Sequence, residues 1–474
     1  MAQTSWSRRR FLEIAGLAGG TVVLKSFFGG GAAQASESDP RLMLLCYLSG
    51  GWDQLLALDP RANDDPKYSK ANAYANGGSG IHPAYDLVND AGVEAVMAAT
   101  GGKGVQKKGA LSFGPAVPAS LLDHYADLAI VRGMSMETLT HEVGRRYFLT
   151  GKFPRGLAAS GSALTTVVAD VEGAAALIPN LAVGTESYNE GRPAYASPIR
   201  VNGADDVLNV LKPLGTQLTA GSDEALLAYE EAADDCARHE HDGEGLVSLF
   251  KDSRKKARSI TSGTASTLFK FTLNQPPAEV QSLFDAMQIA TSADLNGPKG
   301  KAAIAAQALA RGISQAVSVQ LTGGLDTHSD WANDHAPLLR TSFDALGLLI
   351  KHLKSVPFKD TADTVWQHTT LVVFSEFART PLLNGRDGRD HHLASSCLLA
   401  GPGIKGNQVV GASKEPGMGV GKIRVDTGDV VPDTDDTGVV VRPADVHATV
   451  LESMGLSQDH IANQLPQVIT KLLK

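Results

Sequence analysis

The stretch RLMLLCYLSGGWD, residues 41–53, is an unbroken apolar run that ends in two glycines, a tryptophan and an aspartate. An extended segment that is apolar on both faces is typical of a strand in the middle of a parallel sheet. The same pattern returns in five further stretches: DLAIVRGMS (127–135), PNLAVG (179–184), AVSVQLTGGLD (316–326), TTLVVFSEF (369–377) and SCLLAG (396–401). The sequence therefore predicts a largely buried sheet with these six strands.

Helical patterns lie between these strands. The clearest follows the fourth strand, where the apolar residues advance by four, three, four and three and so share one helix face. They are Leu339, Phe343, Leu346, Ile350 and Leu353, and Pro337 is expected to start the helix. Alternating strands and helices predict an α/β fold with both faces of the sheet covered. Residues 205–310 are rich in alanine and poor in strand-like runs, which predicts a mostly helical insertion.

Composition excludes several classes of protein. The chain has 474 residues, of which 43% are hydrophobic and 20% charged, as in globular proteins. The formal net charge is −8 and the longest basic cluster is RKKAR (254–258), which argues against nucleic acid as a partner. Cys46, Cys236 and Cys397 form no CxxC pair, so we expect isolated buried thiols rather than a disulfide framework or a thiolate zinc site.

The N-terminus carries the three parts of an export signal in order. SRRRFL (7–12) supplies a twin-arginine pair, IAGLAGGTVVL (14–24) is a modest apolar run, and small residues end at 33–35. The apolar run is about half of the ~20 residues that a bilayer-spanning helix needs, so we expect no permanent membrane span. Residues 1–35 are thus predicted to be a twin-arginine signal peptide, read by the twin-arginine export machinery, and the mature protein is predicted to be periplasmic or extracellular.

Ligands in parallel α/β sheets bind at the carboxyl ends of strands, and several metal-ligating side chains lie there. They are Asp53, Asp326, His328 and Glu376, joined by Asp390, His391 and His392 from the loop ARTPLLNGRDGRDHH (378–392). Carboxylates together with imidazoles suit zinc or manganese, as one or two ions. Each residue also has an ordinary interpretation, such as a cap for Asp53 or an ion pair between Glu376 and Arg379.

The segment METLTHEVGRRYFLTG (136–151) is predicted to be a helix that begins after Thr140. The Thr140 hydroxyl is either a helix N-cap or a nucleophile placed in the positive field of the helix N-terminus, with His141 as a second catalytic candidate. Arg145 and Arg379 are candidates for binding an anionic substrate. A place on the surface of the helix explains Arg145 equally well.

Together, the twin-arginine leader, GGWD, the Thr-His helix start, GGLDTH, SEFART and DHH resemble the domain of unknown function 1501 family. The resemblance runs from about residue 41 to 460. That family belongs to the alkaline phosphatase/sulfatase-like superfamily, which implies a three-layer α/β/α sandwich over residues 36–474. It also implies that Asp53 is the metal carboxylate of the first strand, that Thr140 stands at the nucleophile position, and that Asp326 and His328 bind one metal. Glu376 would be the acid of a second metal, and His391 or His392 the late histidine.

The resemblance implies an exported, metal-dependent hydrolase of phosphate or sulfate esters. In ASPIR (196–200), Ala196 stands where a formylglycine sulfatase needs Cys or Ser, which disfavours that subclass. The alternative is a non-catalytic periplasmic binding or assembly protein on a decayed hydrolase fold, which the Thr140-His141-Glu142 sequence favours, since the family pattern there begins Ser-His-Phe.

Overall fold

An eight-stranded sheet organises the part of the chain that the computed structural model describes, namely residues 41–173, 176–211, 264–359 and 361–474 together with Tyr229. The predicted signal peptide, Cys236 and much of the predicted helical insertion lie outside these residues. Within them, no helix is long and apolar enough to cross a bilayer.

The bounds of the strands and helices follow the chain. The strands are β1 (Leu42–Leu48), β2 (Gln106–Lys108), β3 (Leu111–Phe113), β4 (Ala129–Ser135), β5 (Asn180–Val183), β6 (Ile199–Val201), β7 (Ala316–Thr322), β8 (Thr369–Phe374), β9 (Ala378–Arg379), β10 (His391–His392), β11 (Ala394–Ala400), β12 (Gln408–Val410), β13 (Lys422–Ile423), β14 (Val430–Val431) and β15 (Val439–Val440). The α-helices are α1 (Lys70–Ala73), α2 (Ala91–Ala99), α3 (Ala119–Leu122), α4 (His141–Thr150), α5 (Leu164–Glu172), α6 (Ala204–Leu211), α7 (Thr264–Thr267), α8 (Ala278–Met287), α9 (Ser292–Asn296), α10 (Pro298–Ala310), α11 (Trp331–Ser355) and α12 (Pro443–Ser453).

The central sheet has the order β12-β4-β11-β8-β1-β7-β5-β6 and contains all six predicted strands. It is mostly parallel: β1 pairs in parallel with β7 and β8, and β5 pairs in parallel with β6 and β7. β11 differs, since it runs antiparallel to both β4 and β8. The prediction of a sheet buried on both faces is confirmed, while the direction of β11 is a new finding.

The side chains of β1 alternate between two hydrophobic cores, because successive residues of a strand point to opposite faces. Leu42, Leu44, Cys46 and Leu48 join the core that contains α8, α10 and α11. Met43, Leu45 and Tyr47 join the core that contains α4, α5 and α12. Helices thus cover both faces, and the predicted three-layer α/β/α arrangement is confirmed. Cys46 and Cys397 are buried free thiols, as expected.

Helix α11 buries the predicted face, but it begins at Trp331 rather than at Pro337, so the predicted start is wrong. Tertiary contacts explain the extra turns. The Trp331 indole N–H donates to Asp53 Oδ2 at 2.8 Å, and the Asp53 amide donates to His335 Nε2 at 2.8 Å. These buried bonds hold the first turns in place, and Pro337 lies inside the helix.

The described parts of residues 205–310 are largely helical, comprising most of α6 and all of α7 to α10. Helix α10 packs in the same core as β7 and α11, directly on the sheet. The limits of an insertion therefore remain a prediction.

Candidate metal centre

Four side chains meet at the edge of the sheet where β1, β7 and β8 end. Oδ1 of Asp326 lies 3.4 Å from Nε2 of His141, 3.1 Å from Nε2 of His328 and 3.2 Å from Nε2 of His391. The Nε2 atoms of His328 and His391 are 3.0 Å apart. The possible ligand atoms of His141, Asp326 and His391 all lie within 4.8 Å of one another, and His328 contacts two of these residues; we call the four residues the metal cluster.

The four residues reach this point from different elements. Asp326 and His328 extend the chain beyond the end of β7, and His141 is the first residue of α4. His391 precedes β11, and it reaches the same edge because β11 runs opposite to its neighbours and therefore begins there. The reversal of one strand is what adds the third imidazole.

The other ring nitrogen of each histidine contacts an oxygen acceptor. The three pairs are His141 Nδ1 with Glu376 Oε1 at 2.7 Å, His328 Nδ1 with Asp390 Oδ1 at 2.7 Å, and His391 Nδ1 with the Leu139 carbonyl at 2.6 Å. A carbonyl only accepts, so Nδ1 of His391 carries the proton and its Nε2 presents a lone pair. Two carboxylates impose the same tautomer on neutral His141 and His328, which is the usual support of metal-ligating histidines.

Lone pairs that face one another at such distances repel unless a cation or a proton lies between them. Nε2 of His141 is buried and has no hydrogen-bond partner among the described residues. A tetrahedral zinc ion, with bonds of about 2.0–2.1 Å, separates its ligand atoms by roughly 3.3–3.4 Å. The separations of 3.0–3.4 Å from Asp326 to the three histidines and between His328 and His391 come close to that spacing, so these donors fit a divalent metal ion.

The electrostatics of the cluster also favour a positive charge. Burial alone would lower the pKa of His141, but the hydrogen bond and charge of Glu376 and the charge of Asp326 raise it above its ordinary value. Burial opposes ionisation of Asp326 as well, yet its hydrogen bond to Arg379 and the histidines lower its pKa to about 2. Asp326 is therefore an anion at neutral pH.

Arg379, predicted to bind substrate, is fully buried and positions Asp326 instead. Its guanidinium also donates to the carbonyl groups of Gly50, Gly51 and Arg389, at 3.1 Å for Gly51 and 3.0 Å for Arg389. These contacts engage the head group on every side, so the structure does not present it to a substrate.

Asp53, predicted as a metal ligand, is not brought into the metal cluster. Its Oδ2 accepts from the Trp331 indole and lies 2.9 Å from Nε of Arg389, while its Oδ1 accepts from the amides of Leu55 and Leu56. Both oxygens are thus engaged, and the residue is only 1% exposed. The structure gives Asp53 the tasks of capping its own turn and neutralising a buried arginine.

Glu376 and Asp390 lie beside the cluster rather than in it. Glu376 accepts from the Gly50 amide at 2.8 Å and from the Ser375 hydroxyl at 3.0 Å, in addition to its contact with His141. Although burial opposes it, the hydrogen bond and charge of His141 and the backbone amides of Glu376 and Gly50 lower the pKa of Glu376. Asp390 also accepts from the Asn384 amide at 3.1 Å. Both predicted ligands therefore orient histidines.

His392 points away from the cluster, because adjacent residues of the short strand β10 face opposite sides. Its Nε2 lies 3.0 Å from the Gly417 carbonyl. Of the two adjacent histidines, the structure brings His391 alone to Asp326.

Thr140 is the N-cap residue of α4 by position, but its side chain makes no capping hydrogen bond. It is exposed, and it stands between His141, a member of the cluster, and Leu139, whose carbonyl contacts His391. Arg145, one turn further along α4, donates to Glu186 at 3.2 Å, and Arg146 binds the same carboxylate. The predicted nucleophile is thus accessible, whereas Arg145 is already paired.

Residues 40–471 match the sequence model of a family described as a protein of unknown function (DUF1501). The chain belongs to this family. No protein among the curated proteins matches it. The DUF1501 match spans all the elements that build the metal cluster.

Several solved structures share a low level of similarity with this DUF1501 chain. Ps i-CgsB is 9% identical, with 91% of this chain and 75% of that chain covered and a TM-score of 0.37. The alkaline phosphatase from the Antarctic bacterium TAB5 is 12% identical, with 78% and 95% covered and a TM-score of 0.28. A magnesium-bound mutant of that phosphatase is 10% identical, with 88% and 100% covered and a TM-score of 0.30.

The sequence did not predict two features of the DUF1501 site, the Leu139 carbonyl and His335. The Leu139 carbonyl is a backbone group, and any residue at that position would supply it. His335 belongs to the dense polar stretch after β7 but is fully buried and contacts Asp53 and Thr327. Its place on the apolar side of α11, four residues before Leu339, is the signal that could have identified it.

Proposed function

We propose that this protein is a metal-dependent hydrolase of phosphate or sulfate esters. The observation that carries the proposal is the grouping of His141, Asp326 and His391, whose possible ligand atoms lie within 4.8 Å of one another. His328 contacts two of these residues, and each histidine is oriented by its own acceptor. Imidazole with a single carboxylate favours zinc, and manganese is the second choice. A bound divalent ion supplies Lewis acidity and lowers the pKa of a coordinated water or hydroxyl.

The chain's own residues have distinct tasks in this proposal. Glu376, Asp390 and the Leu139 carbonyl keep the three imidazoles in the tautomer that offers Nε2. The Thr140 hydroxyl, free of hydrogen bonds to described residues and adjacent to His141, is the candidate nucleophile for an ester group held at the cluster. The first-turn amides of α4 give that position a positive field, which favours a phosphoryl or sulfuryl group.

The proposal includes export. The twin-arginine pair in SRRRFL and the apolar run that follows it support the twin-arginine route and a periplasmic or extracellular location. Because that route carries folded proteins, the metal cluster would form before export. Replacing Arg8 and Arg9 by lysine is expected to retain the protein in the cytoplasm, as cell fractionation measures.

The decisive experiment has two readouts. Protein purified without chelator is analysed for metal and is then assayed on phosphomonoesters, phosphodiesters and sulfate esters with zinc or manganese. We expect about one equivalent of metal in the wild type, its loss in His328→Ala, and its retention in Thr140→Ala with greatly reduced turnover. Glu142→Gln, an exposed change in the same helical turn, serves as the control and should leave both properties unchanged.

A non-catalytic binding protein is the second candidate. The observation in its favour is that Arg145 and Arg379 are both engaged by other groups, so neither is free to hold an anionic substrate. Retained metal with no turnover on any ester would support this candidate and exclude the hydrolase. Absence of bound metal together with unchanged stability in EDTA would exclude the metal-dependent hydrolase.

A further inference from the structure

Three polar side chains at the carboxyl ends of β5 and β7 have no partner among the residues that the structure describes. They are the ammonium of Lys301, the hydroxyl of Thr185 and the amide of Gln320. Thr185 Oγ1 is buried without a hydrogen-bond partner, and neither of the other two groups forms a hydrogen bond or ion pair within the described part of the chain. The Thr185 hydroxyl is buried, while the side chains of Lys301 and Gln320 are partly exposed, so all three groups are available to a ligand.

Gly184 lies beside both Lys301 and Gln320. It follows β5 with a φ of +66°, and a Cβ added there would stand 3.7 Å from Nζ of Lys301 and 3.8 Å from Cβ of Gln320. Thr185 is the next residue. Lys301 comes from α10 on one face of the sheet and Gln320 from β7, so the groups surround the end of β5 from two sides.

The unpaired state of Lys301 contrasts with that of its neighbour on the same helix. Nζ of Lys299 lies 3.5 Å from Asp344 Oδ2. Lys301 is partly buried, its pKa is lowered by burial, and no carboxylate of the described residues offsets that effect. Removing an ammonium from water without a counter-ion is unfavourable, and an anion bound beside it would reverse the balance.

Lys301, Thr185 and Gln320 lie near the metal cluster. Gln320 lies directly across from Tyr47 in the pairing of β7 with β1, and Tyr47 is close enough to Glu376 for that carboxylate to raise its pKa, alongside burial. On the other side, Glu186 follows Thr185 and binds Arg145 of α4, one turn after the ligand His141. Both clusters therefore lie at the same edge of the sheet.

We propose that Lys301, Thr185 and Gln320 form a subsite for a second anionic group of the substrate, a carboxylate, phosphate or sulfate distant from the ester that is hydrolysed. Calling the bound molecule a substrate rests on the proposed hydrolase function. Binding of an anion at this site does not require turnover. The ammonium supplies charge, while the hydroxyl and amide supply hydrogen bonds. The preferred substrates are accordingly polyanionic.

A binding experiment tests the subsite without relying on activity. Inorganic phosphate is titrated by calorimetry into full-length His328→Ala protein, in which the metal cluster is disabled. We expect binding that Lys301→Met weakens ~10- to 100-fold, the range for hydrogen bonds to a charged group, and that Lys301→Arg largely restores. Lys299→Met, which removes the same charge from the same helix, should not alter it.

The outcomes separate this inference from the proposed function. No phosphate binding in the His328→Ala background, or binding there that Lys301→Met leaves unchanged, overturns the subsite whatever the activity. Binding that depends on Lys301 in a protein without turnover supports the anion site and rejects only the hydrolase. If turnover is present, Lys301→Met should raise KM for an aryl phosphate that bears a second carboxylate, with kcat unchanged, and leave KM for the unsubstituted aryl phosphate unchanged.

Discussion

Each histidine of the metal cluster uses its two ring nitrogens for different tasks. Nδ1 meets an oxygen acceptor at 2.6–2.7 Å, and Nε2 faces Asp326. The acceptors differ in exposure: the side chain of Glu376 is fully buried, whereas that of Asp390 is 50% exposed. Asp390 can therefore be changed without disturbing the core, which makes it the best single test of this arrangement.

We predict that Asp390→Asn weakens metal binding about 10-fold, the lower end of the effect of removing a partner of a metal-bound histidine. The neutral amide is a poorer acceptor for the His328 Nδ1 proton and can also present the wrong atom. Competition with a fluorescent chelator measures the affinity. Asp387→Asn, which removes one charge from the same loop at an exposed position, is the matched control, and equal affinities for the two variants would contradict the prediction.

Asp53→Ala is predicted to destabilise the fold by about 3 kcal/mol or more, because it leaves Arg389 without its buried counter-ion. Urea unfolding in excess EDTA measures this free energy without a contribution from bound metal. In native conditions, the folded variant should still bind metal. A stable variant that has lost its metal would show instead that Asp53 is a ligand.

The sequence could predict which region holds the site but not the role of each residue. Residues that support a ligand share the strand ends with the ligands themselves, so Glu376 and Asp390 are indistinguishable from Asp326 by position along the chain. His391 and His392 are likewise equivalent until strand pairing decides which one faces the cluster. The Asp53–Arg389 pair joins residues 336 apart and has no local signal.

At the scale of elements, α4 begins with His141 directly after Thr140, and Glu186 binds its first half. This carboxylate, which follows β5, binds Arg145 and Arg146 on α4. Although burial opposes it, the hydrogen bonds from Arg146 and Tyr188 and the charge of Arg145 lower the pKa of Glu186 to about 2. These ion pairs thus attach α4 to the segment that follows β5.

A pH dependence of stability follows. A carboxyl group with a lowered pKa stabilises the fold fully above its ordinary pKa of 4.5, and the contribution is lost as pH falls from there towards 2. The difference in unfolding free energy between wild type and Glu186→Gln should therefore be largest at pH 6–7 and shrink steadily below pH 4.5. Urea titrations across this range measure it, and a difference that is constant with pH would refute the role of charge.

Element identity was predictable where burial on both faces leaves a continuous apolar run, as in β1, β7 and β8. The direction of a strand was not predictable, since a continuous apolar run occurs in buried parallel and antiparallel strands alike. β11 shows the consequence, because its reversal brings its beginning, and hence His391, to the site. The start of α11 was not predictable for a similar reason, because buried contacts of Trp331 and His335 extend the helix on the N-terminal side of Pro337.

At the scale of the whole molecule, a bound ion would join α4, the extension of β7 and the start of β11. Such an ion binds the folded state and not the unfolded chain, so it stabilises by about 4 kcal/mol at a free concentration 1,000 times its Kd. We predict that EDTA lowers the thermal midpoint and that adding zinc restores it in proportion to the logarithm of its concentration. His328→Ala should be insensitive to both, and a wild-type midpoint independent of zinc would contradict the prediction.

The reversed strand β11 also determines when the site can be completed during synthesis. His391 and the Leu139 carbonyl that orients it are 252 residues apart in sequence. A ribosome making the chain releases α4 and β7 long before β11, so a nascent protein holds His141, Asp326 and His328 but lacks the last imidazole. Tight metal capture would then coincide with the insertion of β11 between β4 and β8, and uptake of the ion would report that the central sheet has closed.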